Sequence, residues 1–250
     1  MTSTQPVLLV LLFGSVAAAA TALGALPFAG GRRPNLTGIG AAYALAGGAM
    51  LGVGYLLMTH GLVRATLSVM LGAGAGVVYT RWIQHYAGVD TLDMRPGRED
   101  GADFGYKIIL QNTLHSAAEG VAIGVAMAYE LALGGYLALA LAVHNVGEAM
   151  ALTDVLRRRG MTAGESAGLA VVTKVAQPLL AIVAFALAPA LGGLAPALLG
   201  FAAAALVFLA LTELVPASYQ RLDARRVALL VSTAAGAVVF LHSLVGEGEA

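Results

Sequence analysis

The chain has 250 residues, 59% of them hydrophobic and only 11% charged, with a mean hydropathy of +0.83. A soluble protein of this size needs a charged surface that these residues cannot supply, so the chain reads as an integral membrane protein. Fourteen basic and fourteen acidic residues leave no basic field for nucleic acid, and the lack of cysteine excludes disulfides and thiolate metal ligands.

Apolar runs of membrane length predict eight helices, near 6–29, 37–59, 62–82, 105–129, 133–157, 164–189, 194–215 and 226–245. The expected fold class is an all-α polytopic membrane protein, a single transmembrane domain over residues 1–250. The first run is alanine-rich like a signal peptide, but it has no positive leader and continues past the alanines, so it is read as the first span. Linkers are short except at 83–104, "IQHYAGVDTLDMRPGREDGADF", a polar stretch with turn signals and mixed charge that is expected to be a mobile loop. Arg32 and Arg33, then Arg81, Arg95, Arg98 and Lys107, then Arg157, Arg158 and Arg159, then Arg221, Arg225 and Arg226 all fall on one side of this arrangement. These are 12 of the 14 basic residues, and by the positive-inside rule they place both termini outside and the 83–104 loop in the cytoplasm. The two others are Arg64, at a short outer turn, and Lys174, inside the sixth run. Small residues repeat at helical spacing in Gly48-x-x-x-Gly52, Gly72-x-x-x-Gly76 and Gly120-x-x-x-Gly124, as expected where helices pack closely in lipid.

The fourth and fifth runs carry near copies of one polar pattern, "LHSAAEG" at 114–120 and "VHNVGEA" at 143–149. A spacing of four puts His115 and Glu119, and likewise His144 and Glu148, on one helix face. Each histidine lies ten residues, about 15 Å of helix rise, into its run, half of a hydrocarbon core about 30 Å thick. Antiparallel neighbours would therefore hold both pairs near the midplane. An ionised carboxylate there costs at least a few kcal/mol and needs partners. One such pair could merely tie helices together through a protonated Glu. Two imidazoles and two carboxylates at one depth are what a borderline divalent cation such as zinc takes.

With these residues the sequence resembles the ZIP family of zinc- and iron-type transporters, whose fourth and fifth helices carry His-Asn-x-Pro-Glu-Gly-type motifs. "TALGALPF" (21–28), "AQPLLA" (176–181) and "ELVP" (213–216) resemble the ends of the family's first helix, its sixth-helix Glu-Pro segment and its seventh helix. The resemblance implies eight helices with both termini outside, and His115, Glu119, His144 and Glu148 as metal ligands. The chain departs from the family at its second metal site, where Ser116 stands for an asparagine and Gln177 for a glutamate, beside Asn145. Ala118 and Gly147 replace the motif prolines, so the fourth and fifth helices are expected to be straighter, with Pro178 alone keeping a kink signal. Lys174 lies at the depth of the histidines, one turn before Gln177. Its ammonium is expected to offset Glu119 or Glu148 where the family holds a second cation, which gives a mononuclear site or a protein without ordinary metal transport.

Gln111 and Asn112, one turn before His115, are expected to supply supporting hydrogen bonds. His60, His85 and His242 fall near helix ends and read as interfacial, and Glu213 and Asp154 either line an exit path or face cytoplasmic water. The expected function is transport of a divalent metal toward the cytoplasm, Zn²⁺ first, with Fe²⁺, Mn²⁺ or Cd²⁺ as other candidates. No nucleotide-binding motif is present and no enzymatic activity is expected. The alternatives are a metal-binding sensor that does not translocate, and a proton- or organic-cation-coupled carrier using the His/Glu/Lys set as a relay. The expected partners are the lipid bilayer, at the cell membrane (a bacterial inner membrane), and the metal ion, with a homodimer left open.

Overall fold

The computed structural model describes residues 4–31, 35–87 and 103–246. Most of the expected 83–104 loop, including Arg95 and Arg98, lies outside the described residues, as do Arg32 and Arg33. Among the described residues every element is helical: α1 (Thr4–Ala20), α2 (Leu36–Ala87), α3 (Asp103–Tyr129), α4 (Leu131–Arg158), α5 (Ala163–Thr173), α6 (Ala176–Leu191), α7 (Ala195–Leu209), α8 (Val215–Tyr219) and α9 (Ala224–Gly246), with tighter or wider turns between some of them. Among the described residues five segments are long and apolar enough to cross a membrane, Gln5–Gly30, Leu36–His85, Leu131–Arg158, Ala163–Tyr219 and Ala224–Leu244.

Two of these segments, of 50 and 57 residues, far exceed the roughly 20 that one crossing needs. Each is interrupted. Ala65 breaks α2 at φ −160°, ψ 87°. A Cβ built on Gly61 would lie 2.7 Å from Val69 Cγ2, although eight residues of straight helix span about 12 Å. The neighbours of α7 give the directions. Gly47, Gly54 and Gly61 face Val215, Val207 and Leu199 in descending order, whereas Gly72 and Gly76 face Ala197 and Phe201 in ascending order. The two halves of α2 are therefore antiparallel, and the turn falls at Ala65, a few residues beyond the expected position. The longer segment is interrupted between α6 and α7 at Gly192, whose φ of +49° suits a residue without a Cβ.

Prolines set the local irregularities. Pro178 has no N–H for the Lys174 carbonyl, which instead accepts from the Gln177 amide at 3.0 Å. The helix opens at Lys174 and Val175, so the sixth run becomes α5 and α6 with a break between them at which Lys174 is buried and Val175 exposed. Pro216 likewise leaves the Thr212 carbonyl without its amide, and Ala210–Leu214 widens into a π turn before α8. The first run ends in a 3₁₀ stretch, Thr21–Gly31, that contains Pro27. α3 and α4 have no such break, in keeping with Ala118 and Gly147 at the positions of the motif prolines.

The three glycine pairs form three seams. A Cβ at Gly48 or Gly52 would approach the carbonyl oxygens of Val231 and Ala235 on α9 to 2.4 and 2.8 Å. At Gly72 or Gly76 it would approach those of Ala197 and Phe201 on α7 to 1.9 and 2.2 Å, and at Gly120 or Gly124 those of Gln177 and Ala181 on α6 to 2.3 and 2.1 Å. Backbone touches backbone at all six positions, as the absence of a side chain permits. The last seam matters most for the site, because it fixes the α5–α6 break against α3.

Candidate metal centre

α3 and α4 are joined through Glu130 alone, and this tight hairpin brings the two His-x-x-x-Glu copies face to face. One ligand atom from each of His115, Glu119, His144 and Glu148 can be chosen so that all four lie within 4.8 Å of one another. Glu119 Oε1 is 3.3 Å from both His115 Nε2 and His144 Nε2, and His144 Nε2 is 3.6 Å from Glu148 Oε2. Ligand atoms 2.0–2.1 Å from a tetrahedral zinc ion are separated by about 3.3 Å from each other. Three of the contacts are already near that spacing, and the group closes around such an ion when its wider separations, up to 4.8 Å, contract. The imidazole rings meet edge to face, with centroids 5.9 Å apart.

Burial sharpens the chemistry. Glu119, His144 and Lys174 are almost entirely enclosed, while the Glu148 side chain keeps 17% of its surface exposed. Glu119 Oε1 and His144 Nε2 are buried without a hydrogen bond. Buried polar atoms nearly always find a partner, and electron-rich atoms converging on one point suit a cation. On the other side of the carboxylates, Lys174 Nζ donates to Glu119 Oε2 at 2.9 Å and to Glu148 Oε2 at 2.5 Å. The sequence led to one glutamate as its partner; the ammonium bridges both. Glu119 thus offers one oxygen to the imidazoles and the other to the lysine.

The remaining polar residues divide by task. Ser116 Oγ donates to the Asn112 carbonyl of its own helix at 2.7 Å. Asn145 Nδ2 reaches across to the Ala17 carbonyl of α1 at 2.8 Å and to Gln177 Oε1 at 3.1 Å, which ties α4 to α1 and α6. Gln111 Nε2 donates to Glu213 Oε1 at 3.4 Å, which supports Glu213. Gln84 Nε2 joins it there, 2.9 Å from Glu213 Oε1 and 3.0 Å from Thr212 Oγ1.

A cavity of about 40 Å³ joins these groups, and Tyr79, Gln84, Gln111, His115, His144, Glu148 and Glu213 are among its walls. Since a water needs about 10–15 Å³ on this measure, there is room for roughly three. The cavity extends from the His/Glu group toward Gln84, one turn from Arg81 at the basic end of α2. Glu213 therefore lines this cavity, whereas Asp154 pairs with Arg158 at 3.1 Å. Tyr79 and Gln84 were not singled out in the sequence: Tyr79 lies near the end of an apolar run, and Gln84 was read into the 83–104 loop, whereas α2 continues to Ala87. His60 and His242 lie elsewhere, their rings 5.2 Å apart, and His242 also stacks on Tyr136 at 5.6 Å. Arg64 covers the ring of Tyr129 at 4.6 Å.

No family model matches the chain. Over 247 residues it is 31% identical to a protein of Arabidopsis thaliana named "Putative zinc transporter"; the match covers 94% of this chain and 38% of that protein. The chain thus spans well under half the length of this relative while aligning along nearly all of its own. The relationship agrees with the zinc-transporter resemblance carried by residues 115–120 and 144–149.

Proposed function

We propose that this chain is a ZIP-type carrier of divalent metal ions, Zn²⁺ foremost, which moves the ion through the membrane toward the cytoplasm. The reading rests above all on the four converging donors, His115, Glu119, His144 and Glu148, which we assign as the ligands. Two imidazoles and two carboxylates form a set of intermediate softness, suited to zinc and also accepting Fe²⁺, Mn²⁺ or Cd²⁺. The cavity leading from this group past Glu148 to Glu213 and Gln84 supports an exit on the basic side of the protein.

Eight crossings, with both termini outside, belong to the same proposal. It is supported by the antiparallel halves of α2, the break at Gly192, the length of α3 and the distribution of basic residues. The chain has no cysteine, so single-cysteine labelling needs no background removal. Gly164→Cys and Gly193→Cys, at exposed positions on opposite ends of α5–α6, should react with an impermeant maleimide from the cytoplasmic and outer side respectively. Labelling of both from one side would remove the eight-span arrangement.

Transport itself is tested with purified protein in vesicles. Zn²⁺ uptake above protein-free vesicles, reduced by competing Cd²⁺, Fe²⁺ or Mn²⁺ in order of preference, is the expected result. Binding without flux would identify a membrane metal sensor instead, and flux of protons or organic cations without metal would identify a relay.

A further inference from the structure

Lys174 is buried to 1% exposure and holds both carboxylates of the proposed metal site, at 2.9 and 2.5 Å. Its contacts lie on the side away from the histidines at Glu119, where Oε1 faces the imidazoles and Oε2 the ammonium. Among the described residues no other lysine or arginine contacts either carboxylate. Gln177, whose amide donates to the Lys174 carbonyl, is neutral, as are Asn145, which bonds Gln177 and the Ala17 carbonyl, and Ser116, which bonds its own helix. The ammonium is thus a fixed charge of the site, not a stray lysine seeking the interface.

A carrier that delivers its ion must also return without it. With neutral imidazoles, Glu119 and Glu148 alone would leave two negative charges at mid-membrane depth in the empty state. Charges buried there carry a penalty of several kcal/mol each unless compensated. Lys174 reduces that net charge to −1, and with a divalent ion bound the site becomes +1 where it would otherwise be neutral. The residue therefore favours the empty site at the expense of the loaded one. We infer that Lys174 is a resident counter-cation that lets the carrier return empty once its ion has left, and so makes net transport possible in place of metal-for-metal exchange. This rests on the transport reading above and adds a role for the ammonium in the cycle.

The test separates exchange from net flux in the full-length protein reconstituted into vesicles. Lys174→Gln keeps a donor between the two carboxylates and removes the charge; Lys174→Met removes both. Each variant is measured for equilibrium Zn²⁺ binding, for uptake of labelled Zn²⁺ into metal-free vesicles, and for exchange into Zn²⁺-loaded vesicles. Both should bind Zn²⁺ at least about tenfold more tightly, as expected when a like charge a few ångströms away is removed from a low-dielectric site. Net uptake should fall at least tenfold while exchange stays within about threefold of the parent. Weaker binding, or net uptake and exchange changing together, overturns the proposal. So does failure of both variants to give monodisperse protein, since the ammonium is then a structural tie. A parent protein with neither flux refutes the transport reading instead, and the binding comparison still decides whether Lys174 opposes the ion.

Discussion

α3 and α4 carry the same His-x-x-x-Glu pattern, yet they use it differently. On α3, Glu119 is fully enclosed and touches both histidines and Lys174; on α4, Glu148 touches His144 and Lys174 and faces the cavity. The residue after each histidine differs in the same sense. Ser116 turns back on its own helix, while Asn145 reaches out to α1 and α6. The α3 copy thus supplies the centre of the site through its glutamate, and the α4 copy supplies its edge and its anchorage. Similar motifs become unequal once the surrounding helices decide what each faces.

The largest effect should come from breaking the centre. Glu119→Gln removes the carboxylate oxygen that both histidines approach, and Zn²⁺ affinity should fall by more than about 100-fold, beyond the 10–100-fold typical of groups that merely orient ligands. Glu148→Gln should lose less, about tenfold, because its carboxylate is partly exposed and water can take over part of its role. The double variant should be far from additive, since both carboxylates share Lys174 and His144. Equal single losses in an equilibrium titration would mean that the two copies are equivalent after all.

A smaller effect bears on the histidines of both copies. Neutral imidazole and ionised carboxylate are the liganding forms, so protons compete with the metal and affinity falls as pH is lowered. Each proton displaced per ion lowers the apparent affinity by up to tenfold per pH unit in the range where that group titrates. Two copies sharing one ion should give a slope above one proton per ion in the parent and a shallower slope in His115→Gln. A pH-independent affinity would argue against histidine ligation in either copy.

Much of this inequality was outside the reach of the sequence. The His-x-x-x-Glu pairs, the depth of Lys174, the glycine seams and the proline break were legible because each follows from residue type at helical spacing. Which oxygen of Glu119 faces the imidazoles and which the ammonium depends on how α3, α4 and the α5–α6 break meet, and no spacing within one helix encodes it. The partners of Asn145 lie 128 and 32 positions away, so its bond to the Ala17 carbonyl was equally hidden. Gln111, expected beside His115 on the logic of one helix turn, lines the cavity with it, but the bond of its amide to Glu213 from the π turn was not legible. The part of the cavity at Tyr79 and Gln84 was missed because Tyr79 lies near the end of an apolar run and Gln84 was read into the 83–104 loop.

The anchorage side of the comparison gives the next effect in size. Asn145→Ala removes the side-chain donor to the Ala17 carbonyl and to the buried Gln177 Oε1, at a cost of about 1–3 kcal/mol where a group is stranded away from water. The variant should lose thermal stability in detergent, and Zn²⁺ affinity should drop only a few-fold, because α4 loosens against α1 and α6 while all four proposed ligands remain. Asn145→Asp adds a negative charge next to Gln177 and should bind Zn²⁺ more tightly than Asn145→Ala. The reverse order would show that the residue matters only as a tie.

The smallest effect belongs to the corresponding position of α3. Ser116 Oγ is bonded to the carbonyl four residues back, which already accepts an amide in the regular helix, so Ser116→Ala strands no buried group. Stability should change by less than about 1 kcal/mol, since removing a donor whose acceptor keeps another partner forfeits only the net worth of one hydrogen bond. Zn²⁺ affinity should stay within about twofold, because the hydroxyl faces its own helix and not the four donors. A tenfold loss would place Ser116 among the groups that touch the ion, and the two motif copies would then be more alike in use than their hydrogen bonds make them. Measuring Ser116→Ala beside Asn145→Ala, with the same titration and the same thermal melt, therefore reads the asymmetry at its weakest point.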